Sequence, residues 1–127
     1  MTVGDQYGGD ITRQAASDLS AATSQYKIVK VTSATQCDIT TAATDKPLGV
    51  LQNRPKLGQA CEIRVNSGAT TKCQCGAAVT AGQEIMSDGS GRGITATTTN
   101  EVIGIALTST ANLGELFDLL VRPYHKV

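Results

Sequence analysis

The chain of 127 residues has no tryptophan, one phenylalanine and three tyrosines. So few rings cannot build the stacking platforms on which single-stranded nucleic acids are held, and they argue equally against an aromatic sugar-binding face. An excess of charge is missing too: 11 basic side chains face 11 acidic ones, for a formal net charge of zero. Binding to a phosphate backbone draws on a basic excess gathered on one face, so no nucleic-acid partner is expected. No apolar run approaches the roughly 18 residues of a membrane span. The opening MTVGDQYGGD has neither the basic start nor the apolar stretch of a secretory signal. A soluble, unexported protein with no membrane partner is the expectation. Large apolar side chains are also scarce. Leu, Ile, Val and Phe make up about a fifth of the chain, near the level at which disorder becomes common. At roughly 25 cal/mol per Å2 of buried apolar surface, such a core is marginal on its own. Disorder usually adds a high net charge to low hydrophobicity. With the charge absent, the composition points to a small domain stabilised by partners.

What is present is organised in two parts. Residues 1–25 have little apolar periodicity and read as an N-terminal arm, either a disordered tail or a segment that orders against a partner. A short helix over 12–22, capped by Thr12 or Ser17, is a further reading of the same stretch. Residues 26–127 read as a β domain. Strand-sized runs at 26–33, 36–41, 46–52, 59–67, 68–75, 84–87, 94–99, 101–108 and 115–122 are separated by turn residues. That spacing predicts an all-β fold, a small barrel or sandwich of about eight or nine short strands with an extended N-terminal arm. Alternation places Cys61, Ile63 and Val65 on one face, and Phe117, Leu119 and Val121 on one face of the last strand. Leu116 and Leu120 then point outward beside Asp118. These two leucines are either scattered surface residues or part of a subunit interface. An internal echo supports the parse: PLGVLQNRPKLGQACEIRV (47–65) resembles VIGIALTSTANLGELFDLLV (102–121). Each has a strand broken by glycine (Gly49, Gly104), a polar loop ending Leu-Gly, and an alternating strand. A glycine inside a strand marks a bulge or a close backbone approach.

Chemistry is sparse. The four cysteines, Cys37, Cys61, Cys73 and Cys75, lack the paired Cys-x2-4-Cys spacing of zinc sites, and their strand positions suit buried thiols. No metal or cofactor is expected. The lone His125 stands in RPYHKV with no motif around it, and no nucleophile elbow, His-Glu-x-x-His or Walker pattern occurs. The stretch SDGSGRG (87–93) lacks the Gly-Lys-Ser/Thr ending of a phosphate loop and reads as a hairpin turn. No catalytic residue is assigned, and no enzyme is expected.

Several stretches together resemble a known family. LSAATSQYKIVKV (19–31), TDKPLGVLQNRPKLGQACEIRVNSG (44–68), AVTAGQEIMSDGSGRG (78–93) and EVIGIALTSTANLGELFDLLV (101–121) are similar to the small capsid cement, or head-decoration, proteins of tailed bacteriophages. The resemblance covers about residues 18–121. It implies a protein of the virion, made in the host cytoplasm, that binds the outer surface of the expanded head. Its implied partners are the major capsid protein and copies of itself, commonly as a homotrimer. Bridging of neighbouring capsid subunits would stabilise the shell, with the arm lying along it. Contacts with the capsid or a neighbouring subunit are then expected at Asp18, Leu19, Ser20, Tyr26, Leu116 and Leu120. The competing readings are another virion β-module, such as a tail, fibre or host-surface adhesin component, and a small nucleic-acid-binding barrel.

Overall fold

The computed structural model describes residues 10–97 and 100–125. Ten strands form among them: β1 (Asp10–Ala15), β2 (Ile28–Val31), β3 (Gln36–Ile39), β4 (Gly49–Leu51), β5 (Ala60–Arg64), β6 (Thr70–Gln74), β7 (Glu84–Ser87), β8 (Gly93–Thr95), β9 (Glu101–Ala106) and β10 (Leu116–His125). One turn of 3-10 helix over Ala22–Ser24 completes the described elements. The fold is all-β as expected, built as two five-stranded sheets rather than one barrel. The first runs β1-β3-β2-β4-β5, and its pairing returns to its start because β5 also pairs with β1. The second runs β6-β10-β9-β7-β8.

Each of the nine strand-sized runs overlaps a strand. The tenth, β1, lies in the segment read as an arm. Asp10–Gln14 pair antiparallel with Arg64–Ala60, while Gln14 and Ala15 run parallel to Gln36 and Cys37. Ala15 and Leu19 are buried in the core of the first sheet, with Ile11 packed against it. Residues 10–19, read as part of the arm, are thus paired and packed with the first sheet, and no helix spans 12–22. Residues 1–9 of the expected arm lie outside the described residues.

The echo seen in the sequence proves to be the visible part of a complete duplication. The pairs Val50–Arg64 and Leu51–Ile63 in the first sheet are matched by Ile105–Leu120 and Ala106–Leu119 in the second. Arg13–Cys61 is matched by Cys73–Phe117, and Val29–Ile39 by Ile85–Thr95. Even the parallel contact recurs, as Ala15–Cys37 and as Cys75–Gly93. The same equivalence gives matching cores. Ala15, Leu19, Val29, Leu51, Cys61 and Ile63 of the first unit correspond to Cys75, Val79, Ile85, Ala106, Phe117 and Leu119 of the second. The strand glycines do the same work in both. A Cβ on Gly49 would lie 2.3 Å from the Arg64 carbonyl oxygen, and one on Gly104 would lie 1.9 Å from that of Leu120. Neither position has room for a side chain.

The units differ where they join. In the first, the Gln14 amide donates to the Thr35 carbonyl at 2.8 Å, closing the ring. The equivalent partners in the second, Gln74 and Gly91, are held apart by residues 26–28 of the first unit. The Gln74 amide donates to the Tyr26 carbonyl at 3.0 Å, and the Ile28 amide donates to the Gly91 carbonyl at 2.7 Å. The outward side chains Ile28 and Val50 are thereby enclosed in the second core. Tyr26 adopts φ +68°, where its counterpart Gly82 has φ +92°. A non-glycine residue in this region is uncommon; here the surrounding backbone bonds hold it there.

Candidate functional site

Among the described residues no group of three or more His, Cys, Asp or Glu side chains is placed to hold a metal. The four cysteines are free and buried. Burial pushes the Cys61 and Cys73 thiols up to about 12, so they stay protonated and unreactive near neutrality. His125 pairs at the surface with Glu101. The SDGSGRG stretch is the hairpin turn between β7 and β8, tied by Asp88, whose carboxylate accepts from the Ser90 and Arg92 amides. No described helix is long and apolar enough to cross a membrane.

The surface with a distinctive character is the outer face of β6 and β10, together with the β9–β10 loop and Tyr26. Phe117, Leu119 and Val121 are buried, as the alternation requires, which turns Leu116, Asp118 and Leu120 outward. Leu116 is 47% exposed and Leu120 half-buried. Leu107 and Leu113, in the preceding loop, are also exposed. Two grooves flank Tyr26. The first, about 440 Å3, runs between Ala22, Gln25, Leu113, Leu116 and Arg92. The second, about 410 Å3, runs between Gln52, Arg64, Thr70, Leu107 and Asp118. Tyr26 lines both. Lys72 and Asp118 pair across the strands at 2.6 Å, which leaves this part of the face without net charge.

The duplication serves as an internal control on this face. Positions equivalent by register occupy the same place in the strand and turn framework of each unit, although Gln52 and Arg64 also bond across to Thr71 and Thr70 of the second. The first unit carries Gln52 where the second has Leu107, Ala60 where it has Leu116, and Arg64 where it has Leu120. Leucine is thus not needed at these places for the unit to fold. Exposing it removes no water from apolar surface in the monomer, and the gain comes only when a neighbour covers it.

The six residues singled out in the sequence fall in different places. Tyr26, Leu116 and Leu120 lie on or beside the leucine face. Asp18 is exposed on the first unit; its carboxylate accepts from the Ser20 amide at 3.0 Å and is held below the usual carboxylate range by that serine. Ser20 is half-buried, and its carbonyl accepts from Arg54 Nε at 3.0 Å. Leu19 is buried in the first core, so its side chain is not at the surface: it fills the place that Val79 fills in the second unit. Leu113 belongs to no periodic pattern, and Leu107, in the run read as a strand over 101–108, lies just past the end of β9 at Ala106. Setting Leu107 beside Gln52 in the echo was the signal that would have found one of them.

The described residues thus form a duplicated β domain whose outer face carries exposed leucines around a Lys72–Asp118 pair. The sequence matches the phage cement protein family over residues 9–122, nearly the whole chain, and the protein belongs to that family. Its fold is similar to that in the crystal structure of the head fiber gp8.5 N base of bacteriophage phi29, with a TM-score of 0.70 and 16% sequence identity. That likeness covers 89% of this chain and 92% of the other. No curated protein matches it in sequence. The protein is accordingly a structural protein of a bacteriophage, associated with the capsid.

Proposed function

We propose that the protein decorates the outer surface of the expanded head, where it bridges neighbouring major capsid subunits and strengthens the shell against internal pressure. It acts as a homotrimer. The carrying observation is the family match over residues 9–122, and the outward leucines, which the duplicated unit does not itself require, support it. The mechanism is mechanical. Each bound copy adds interface between capsid subunits, and a ligand that binds only the expanded lattice stabilises that state by mass action. No chemical step is involved, and no cofactor is needed.

Purified protein is expected to co-sediment with expanded shells and poorly with unexpanded precursors. Equal binding to both would remove the maturation-specific part of the reading, and binding to neither would remove the reading itself. A second reading is favoured by the fold likeness to a head fiber base: a virion module that carries a fibre. Particles lacking the protein would then lose projecting fibres. The cement reading expects smooth heads that rupture under milder heat or osmotic stress.

A further inference from the structure

The two equivalent turns that precede the last strand of each unit have the same shape and opposite charge. In the first unit the β4–β5 turn carries Arg54, Lys56 and the apolar tip Leu57, followed by Gly58 at φ +81°. In the second, the β9–β10 turn carries the tip Leu113, Gly114 at φ +85°, and Glu115. Residues 52–60 contain no acidic side chain, and residues 107–116 contain no basic one. The tips are the two most exposed large apolar side chains described, Leu57 at 65% and Leu113 at 63%. The acceptor is held in place by its own turn. The Glu115 carboxylate accepts from the Asn112 and Ala111 amides, each at 2.8 Å, and these bonds hold it below the usual carboxylate range, so it remains charged. Asp18 stands near Lys56 and partly offsets it, leaving the first turn with a basic balance.

From this complementarity we infer that the β4–β5 turn of one copy docks on the β9–β10 turn of the next, Leu57 entering the groove beside Leu113 and Leu116, whose wall also carries Arg92, while Arg54 and Lys56 face Glu115. The occupant of the groove is a second copy of this chain. A turn and a groove on different parts of one molecule form a head-to-tail contact, which generates a ring when the rotation closes and a filament when it does not. A closed ring is what the trimer of the proposed function requires, so the inference rests on that reading and supplies the faces it leaves undefined. The second unit differs from the first in the direction this contact demands: Leu116 replaces Ala60 at the groove wall, and acidic charge replaces basic.

The test is a charge exchange in the full-length chain, followed by sedimentation velocity over a concentration series. Lys56→Glu and Glu115→Lys are each expected to weaken self-association at least about tenfold, because each sets like charges against one another. The double variant is expected to return to within about threefold of the original affinity. Both substituted side chains are exposed, so the melting temperature serves as a check that the variants fold, and Glu115→Gln, which keeps an oxygen for the Ala111 and Asn112 amides, is expected to weaken association through loss of charge alone. Unchanged association in either single variant, or a double variant as weak as the singles combined, overturns the inference. So does a parent chain that stays monomeric throughout. If the single variants keep their self-association and lose shell attachment, the turns face the shell and the inference falls while the cement reading stands. If the exchange behaves as expected and the parent chain binds no shell, the cement reading falls and the inference stands.

Discussion

The most informative residues are those that differ between the two units at equivalent buried places. Cys37 and Cys61 lie close enough in the first core to influence each other's ionisation. Their counterparts are Gly93 and Phe117, and a Cβ added to Gly93 would lie 2.9 Å from Phe117 Cζ and 2.8 Å from Ile85 Cγ2. Two medium side chains in one unit are replaced by a ring and an empty position in the other, conserving volume in a close-packed interior. Gly93→Cys alone is expected to cost about 1–3 kcal/mol by overpacking, and Phe117→Cys alone about 3–5 kcal/mol, the range for emptying a ring-sized site. Together they set the two thiols of the first unit in the second core and relieve the contact with the ring, though not that with Ile85, and urea unfolding should show the double variant to be more stable than the sum of the two losses predicts, by at least about 1 kcal/mol. Strict additivity would show that the two positions do not share one space. The thiols themselves were legible as buried small hydrophobes from their alternating positions. Their pairing with a glycine and a ring was not, because it depends on a register that spans the whole chain.

At the scale of elements, alternation carries its information where a strand has one apolar face. Cys61 and Ile63 in β5, and Phe117, Leu119 and Val121 in β10, are buried as read. β1 was invisible because DITRQA supplies only Ile11 and Ala15 as apolar contacts, and a strand held by neighbours on both sides needs little more. Its backbone bonding has a consequence for truncation. Removing residues 2–9 should leave the circular dichroism spectrum and melting temperature near those of the full chain. Removing residues 2–16 strips the partner from one edge of β5 and the closing bond to Thr35, and should abolish cooperative unfolding. A folded 2–16 deletion would contradict the role given to β1. The outer face was half legible by the same logic. Leu116 and Leu120 follow from the period of two in β10, whereas Leu107 and Leu113 sit in a loop, and Tyr26 becomes a wall between grooves only through a left-handed backbone.

For the whole molecule, the scarcity of large apolar residues has a structural meaning. The chain builds two small cores instead of one large one, and the second is completed by Ile28 and Val50 of the first. Neither unit has the apolar content to stand well alone, and Leu57, Leu107, Leu113 and Leu116 are left exposed outside both cores. A protein so built gains by association, which agrees with its membership of a capsid cement family. The measurement that bears most directly on this account is a density map of decorated heads that resolves side chains. Trimers are expected on the outer surface of the expanded shell, seated between neighbouring capsid subunits, with adjoining copies in contact through Leu57 of one and Leu113 of the next. Density confined to the tail, or single copies each bound to one capsid subunit without touching another, would contradict it.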